Sequence, residues 1–360
     1  MERFDFVIVG AGIAGASLAA GLAPHGRVLL IEAEERPGYH ATGRSAAFWT
    51  ESYGGPHVTP LTTHSRAFLE RHALLGPRGA LTLARADEEA ARDAFVAEFA
   101  ALDVRIEPLD RPALETRLDG LSPQWTLGVW EPDCFDIDVA ALHQLWLGEA
   151  RRGGAELRCR ARLERARREG QDWLVKCTDR SQIRAGVLIN AAGAWADEVA
   201  QRAGVRPLGF QPLRRTMLQL RLDRPVPGDL PLVLGLDGSF YFRPESGKLW
   251  LSPHDEIPSP PCDAAPEELD VAIALDRLEG VVDWTVAALE YKWAGLRTFS
   301  PDRLPVYGFE PEAPGLFWFA GQGGFGIQTA PAAADLAVGL LLGAVAGAVD
   351  PAPFAASRFR

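Results

Sequence analysis

The sequence predicts an α/β fold: a Rossmann-type nucleotide-binding domain interleaved with an α+β substrate domain on a mixed, largely antiparallel sheet. Three observations carry this. The chain opens on a strand, a glycine turn, a helix and a second strand ending in an acid; glycine-rich strand exits recur twice; and strand-like segments fill a stretch between them.

Phe6-Val7-Ile8-Val9 reads as the first strand, and Gly10-Ala11-Gly12-Ile13-Ala14-Gly15 as the turn and helix start, with the helix running through Leu22. Gly10 permits the tight turn, Gly12 lets the backbone approach a pyrophosphate, and Gly15 lets helix pack on strand. Val28-Leu29-Leu30-Ile31 is the second strand, and Glu32, followed by Ala33, stands where an acid accepts hydrogen bonds from an adenosine ribose. The second exit is the strand ending Leu188-Ile189-Asn190-Ala191-Ala192-Gly193-Ala194-Trp195, with a helix from Ala196 to Ala203. The third is Leu316-Phe317-Trp318-Phe319-Ala320-Gly321-Gln322-Gly323-Gly324-Phe325-Gly326-Ile327-Gln328-Thr329, which opens a C-terminal helix whose N-terminus suits negative charge.

These recurrences assign 1–50, 140–205 and 305–360 to the nucleotide domain, leaving 51–139 and 206–304 for the substrate domain. There, Thr216–Leu222, Phe240–Arg243 and Leu249–Leu251 alternate as antiparallel strands, while Asp87–Phe99 and Pro266–Leu278 read as helices. Net charge is −11, from 37 Lys+Arg against 48 Asp+Glu, without a basic stripe, so nucleic acid is not an expected partner. Cys134, Cys159, Cys177 and Cys262 are scattered without a CxxC pair, which argues against a metal cluster or disulfide framework. The start of the chain lacks a secretory signal pattern, and the apolar run Leu336–Val349, with Gly339, Gly343 and Gly347 inside it, is too short to span a bilayer. A cytoplasmic protein ending in a buried helix is the expectation.

With Pro37-Gly38-Tyr39-His40-Ala41-Thr42-Gly43-Arg44-Ser45-Ala46-Ala47, Trp293-Ala294-Gly295-Leu296-Arg297 and Gln322-Gly323-Gly324, the chain resembles the D-amino-acid oxidase family of flavoenzymes, and within it the FAD-dependent D-arginine dehydrogenase group. The resemblance covers essentially the whole chain and implies noncovalent FAD, since Thr298-Phe299-Ser300, not a cysteine, follow Arg297. It implies that Thr42, Gly43, Arg44, Ser45, Ala46 and Ala47 run beside the flavin. Ala192, Gly193, Trp195, Gly323, Gly324, Gly326, Ile327, Gln328 and Thr329 are the other expected neighbours.

Oxidation of an amino acid at Cα requires a grip on the carboxylate, and arginine's planar fork supplies it. The resemblance places Arg215 and Arg297 in that role; spacing alone does not separate Arg215 from Arg214. It also implies site roles for Tyr53, on a mobile lid beside Gly54 and Gly55, for Tyr241, donating its hydroxyl to the carboxylate, and for Gln328. The implied chemistry is hydride transfer from Cα to flavin N5, giving an imino acid that water hydrolyses. Oxygen and a quinone-type carrier both remain open as electron acceptor.

Two departures bear on the substrate. Where relatives that prefer arginine hold an acid, this chain has the neighbourhood of Ala80, and where a histidine is expected it has Phe48. A cationic side chain would be buried without a partner, so neutral or hydrophobic D-amino acids are expected. Secondary amines such as sarcosine, proline or N-alkyl amino acids are the alternative; a noncatalytic flavin protein is the second, disfavoured because it needs no carboxylate grip.

Overall fold

The computed structural model describes residues 1–344 and 347–360. One eight-stranded sheet is stitched from distant segments: Glu2–Val9 lies between Val28–Ile31 and Gln182–Asn190, parallel to both, and Leu316–Ala320 runs parallel to Gln182–Asn190. Val28–Ile31 and Leu316–Ala320 are continuous apolar runs, buried along their whole length, as central parallel strands covered on both faces require. Ile13–Leu22 is apolar on every side for the same reason: it packs between the helices Val139–Arg152 and Ala330–Leu342. A second helix, Ala196–Arg202, follows the second glycine exit.

The other large sheet has nine strands and its own core. Its backbone is the antiparallel pair Gln211–Leu222 and Val286–Phe299, joined over nearly their whole length, with Lys248–Ser252 on the other side of Gln211–Leu222 and Tyr241–Glu245 beyond. A three-stranded sheet of Phe48–Trp49, Leu75–Pro77 and Phe135–Ile137 lies apart from both.

The expected helices Asp87–Phe99 and Pro266–Leu278 are present as Glu89–Ala100, preceded by a 3-10 turn at Ala86–Glu88, and as Glu268–Glu279. Leu336–Val349 is not one buried helix. The helix ends at Leu342 because Gly343, at φ +66°, adopts the left-handed cap, and Leu342 is exposed; positions 345 and 346 of that run lie outside the described residues. Among the described residues no helix is long and apolar enough to cross a membrane.

Candidate active site

The first and third glycines of the opening turn serve packing. Gly10 sits at φ +101°, and a Cβ on it would lie 2.6 Å from the Ala191 carbonyl oxygen; a Cβ on Gly15 would lie 1.9 Å from that of Gly10. Gly12 differs, since a Cβ there would meet only Thr42 Oγ1, at 3.2 Å, and otherwise open cleft. That is the room a pyrophosphate needs at a helix N-terminus. Glu32 is held on the cleft wall by the Ala11 amide, donating to Oε2 at 2.8 Å, and the Glu34 amide, donating to Oε1 at 3.0 Å. Each oxygen keeps acceptor capacity for a ribose hydroxyl.

A cleft of about 1850 Å³, counting its open mouth, runs from Glu32 to the strands that carry Arg215 and Arg297. Gly10, Gly12, Ile13, Ala14, Glu32, Ala33, Thr42, Arg44, Ser45, Ala46, Ala192, Gly193, Trp195, Gly323, Gly324, Gly326 and Ile327 all line it. Gly15, Gly43, Ala47, Gln328 and Thr329 do not. Gly43 closes a turn by donating to Gly38 O at 2.8 Å, the Ala47 carbonyl accepts from Ile137 N at 3.2 Å, and the buried Thr329 hydroxyl donates to Phe325 O at 2.8 Å. These five shape the wall without facing the ligand space.

Arg44 lines the cleft, but its donors are committed to the neighbouring sheet region. Nη1 donates to Ala264 O and Ala294 O, both at 3.0 Å, and Nη2 pairs with Asp263, which also accepts from Tyr39 Oη at 3.1 Å. Arg44 therefore ties the nucleotide segment to the residues after Pro258-Ser259-Pro260-Pro261. Thr42 Oγ1 accepts from Ile13 N at 2.9 Å, satisfying one free amide of the helix start.

Strand register decides between the adjacent arginines. Arg215 lies opposite Gly295, and Leu213 opposite Arg297, so Arg215 and Arg297 are diagonal neighbours on one face. Arg214 points to the other face, where it pairs with Glu267 and with Asp270 at 2.9 Å. Arg215 is only 4% exposed; its Nε donates to Asp255 O at 2.7 Å, and neither terminal nitrogen has a hydrogen-bond partner. Burial pushes its pKa down to about 10, and Arg297 adds to that fall, so the guanidinium stays protonated at neutral pH yet gains from any anion brought beside it. Arg297 donates from Nη1 to Tyr53 Oη at 2.9 Å.

Three expected details differ. Tyr241 is 4% exposed and its hydroxyl donates to Met217 Sδ at 3.0 Å, a weak acceptor, rather than toward the cleft. Tyr53 is not on a free lid: the segment that carries it is hydrogen-bonded on both sides. Gln328 is one of those ties, 2% exposed, donating to Thr50 O at 3.2 Å, Tyr53 O at 3.3 Å and Thr62 Oγ1 at 2.8 Å. Its contact with the site is the Tyr53 carbonyl. Phe48 packs between Tyr53 and Tyr241, with ring centroids 6.1 and 6.2 Å away.

Sequence reasoning missed His254 and Asp255. His254 sits edge-on to Tyr241, 5.6 Å between ring centroids, and burial together with Arg215 and Arg297 pushes its pKa down to about 3, so it is neutral. Asp255 accepts from Thr216 N at 2.7 Å and Thr216 Oγ1 at 2.9 Å, and its carboxylate stands 3.7 Å from Arg215. Neither lies in a motif that marks it.

The chain is similar to a glycine oxidase of Pseudomonas aeruginosa, 30% identical over 192 residues, which cover 52% of this chain and 50% of that protein. It is 27% identical to a mouse mitochondrial dimethylglycine dehydrogenase over 367 residues, 91% of this chain but 41% of the relative. The fold is shared with the crystal structure of a glycine oxidase from Geobacillus kaustophilus, at TM-score 0.85 and 24% identity, covering 99% of this chain and 98% of that one. None of these three is a D-arginine dehydrogenase. The family model described as FAD dependent oxidoreductase matches residues 5–340. FAD is the cofactor, bound noncovalently, and the open space at Gly12 and the anchored Glu32 fit its pyrophosphate and ribose. The chain belongs to the DAO family of FAD-dependent oxidoreductases.

Proposed function

We propose that this enzyme oxidises a small, uncharged α-amino acid or its N-methyl derivative, gripping the carboxylate between Arg215 and Arg297. The observation that carries this is the buried Arg215, a lining residue of the cleft beside Arg297, whose two terminal nitrogens have no hydrogen-bond partner and only the Glu256 carboxylate near, 3.5 Å from Nη2. A buried guanidinium left with free donors awaits an acceptor, and a carboxylate matches its fork.

Met217, Tyr241 and Ala46 line the cleft near the arginines, and Phe48, Ala80, Cys134 and Leu232 fill the volume behind them. Substrate side chains larger than one or two carbons meet that packed wall. The carboxylates lining the cleft, Glu32, Glu34 and Glu198, belong to the nucleotide end, and the acid nearest Ala80, its strand partner Glu131, already accepts from Thr50, Glu51 N and Ser52 rather than lining the cleft. Resemblance to D-amino-acid oxidases supports the D-enantiomer where Cα is chiral. The dimethylglycine dehydrogenase relative supports N-methylated amines equally well.

When bound, FAD supplies the hydride acceptor for the substrate Cα–H bond. The residues divide the remaining work. Arg215 and Arg297 fix the carboxylate, Tyr53 steadies Arg297, and the apolar wall of Met217, Tyr241 and Phe48 excludes water. The neighbouring positive charges favour loss of the ammonium proton, leaving the neutral amine that oxidation requires. We read 1–50, 140–205 and 305–360 as the part that holds FAD and 51–139 and 206–304 as the part that holds substrate, with the helix Thr59–Arg71 packed on Ala330–Leu342 across that division. Anaerobic mixing of the holoenzyme with glycine, sarcosine, dimethylglycine, D- and L-alanine, proline and D-arginine tests the reading: small neutral substrates bleach the flavin. Failure of every carboxylate-bearing amine to do so refutes it.

A further inference from the structure

Glu131, at the end of the strand Trp125–Glu131, is 3% exposed, and among the described residues no basic side chain stands within ion-pair distance of it. A buried carboxylate without a cation is unfavourable unless donors surround it. Here three donors do, all from one tetrapeptide: Thr50 Oγ1 and Ser52 Oγ donate to Oε2 at 2.7 and 2.5 Å, and Glu51 N donates to Oε1 at 2.9 Å. From the other side Gln328 donates to the carbonyls of Thr50 and Tyr53, and Thr59 Oγ1 donates to Glu51 O at 2.9 Å. The segment ends at Gly54 and Gly55, with φ of +105° and +78°, so the chain turns away immediately after Tyr53. Residues 50–53 thus form a fixed arch whose product is one contact, the Tyr53 phenol on Arg297, with the Gly324 backbone pressed against both: a Cβ at 324 would fall 2.1 Å from Tyr53 Oη and 3.0 Å from Arg297 Cζ.

We propose that Glu131 is a positioning residue: through the 50–53 arch it holds the Tyr53 phenol against Arg297 and so aims the remaining Arg297 donors at the substrate carboxylate. This rests on the carboxylate-binding reading above. Glu131 does not line the cleft, and its effect reaches the site through Tyr53.

The test is a double-mutant cycle on the FAD-loaded enzyme with Glu131→Gln, Tyr53→Phe and both together. Acetate, a bare carboxylate, is titrated by its perturbation of the flavin absorption; kcat and KM follow for the best substrate of the panel. Replacing one acceptor oxygen of Glu131 by an amide nitrogen frees the arch. Each single variant should weaken acetate binding and raise KM about 5-fold, with kcat within about 2-fold, and the double variant should match the singles, because both remove one contact. FAD content and melting temperature should stay at wild-type values. Effects that multiply to about 25-fold in the double variant, or a Glu131→Gln enzyme that binds acetate normally, overturn the proposal. If Glu131→Gln loses FAD or unfolds, Ser52→Ala and Thr50→Val remove single donors and should give smaller losses that again vanish in the Tyr53→Phe background; additivity there overturns it too. A wild-type holoenzyme that does not bind acetate refutes the carboxylate reading itself, whereas normal acetate binding with an additive cycle removes only the role of Glu131.

Discussion

Replacing Arg215 by methionine should cost the enzyme most of its grip on substrate while leaving the fold intact. The side chain is 4% exposed and its two terminal nitrogens have no hydrogen-bond partner, with Glu256 3.5 Å from Nη2, so under the proposed binding mode the variant deletes two charge-assisted hydrogen bonds to the carboxylate. Such bonds are worth roughly 1.5–3 kcal/mol each, but methionine also removes an unfavourably buried charge and its repulsion from Arg297, so the net loss is about 2 kcal/mol. That corresponds to a decrease in kcat/KM of about 30-fold. Arg215→Lys, which keeps a charge but not the fork, should fall between, at about 5-fold. The assay is the rate of anaerobic flavin reduction against substrate concentration, with FAD content checked beforehand. Arg214→Met is the control: it breaks the pairs with Glu267 and Asp270 on the opposite face, so it should lower melting temperature and leave kcat/KM nearly unchanged. An Arg215→Met enzyme within 2-fold of wild type, or an equal kinetic loss in Arg214→Met, refutes the assignment (both thresholds roughly the scatter of such measurements).

In the substrate panel, glycine, sarcosine or D-alanine should reduce the flavin faster than D-arginine; equal wild-type turnover of D-arginine sinks the apolar-wall argument. Gly15→Ala should destabilise the protein by about 3 kcal/mol or more, because the new Cβ collides with Gly10 O, read as a fall in denaturant midpoint. Gly12→Val, by contrast, should leave an apoprotein of near-normal stability, seen as loss of bound flavin at an unchanged midpoint. Glu310 is buried against Arg360, and although burial alone would raise its pKa, the hydrogen bonds from Arg360, Glu312 N and Trp318 hold it below the usual glutamate value. A lowered carboxyl stabilises the fold above its unfolded-state pKa and loses that contribution as pH falls through the folded value. The stability gap between wild type and Glu310→Gln, about 3 kcal/mol at neutral pH, should therefore shrink on acidification; a gap that persists under strong acid contradicts the pairing.

The nucleotide half was legible because its signals are local. Gly10, Gly12, Gly15 and Glu32 fall within one short βαβ unit, where Gly10 and Gly15 pack as their spacing implies and Gly12 and Glu32 line the cleft. The arginine pair was half legible: a family resemblance pointed to Arg215 and Arg297, but only the register that sets Arg215 opposite Gly295 and Arg214 opposite Leu296 says which side chain faces the cleft. Least legible were contacts between residues far apart in the chain. Gln328 meets Thr50 across 278 positions and Glu131 meets Ser52 across 79, and nothing near any of them marks the meeting. Glycines beside Tyr53 suggested mobility; the donors that remove it come from elsewhere. Arg44 lines the cleft, but its partners, the carbonyls of Ala264 and Ala294, lie more than two hundred residues away.

The opening strand Glu2–Val9 takes its parallel neighbour from Gln182–Asn190, which in turn waits for Leu316–Ala320. During synthesis, then, Glu2–Val9 lacks one of its two partners until the distant Gln182–Asn190 is made, and that strand lacks its own until Leu316–Ala320 follows. Such non-local pairing is slow and leaves unpaired apolar edges exposed meanwhile.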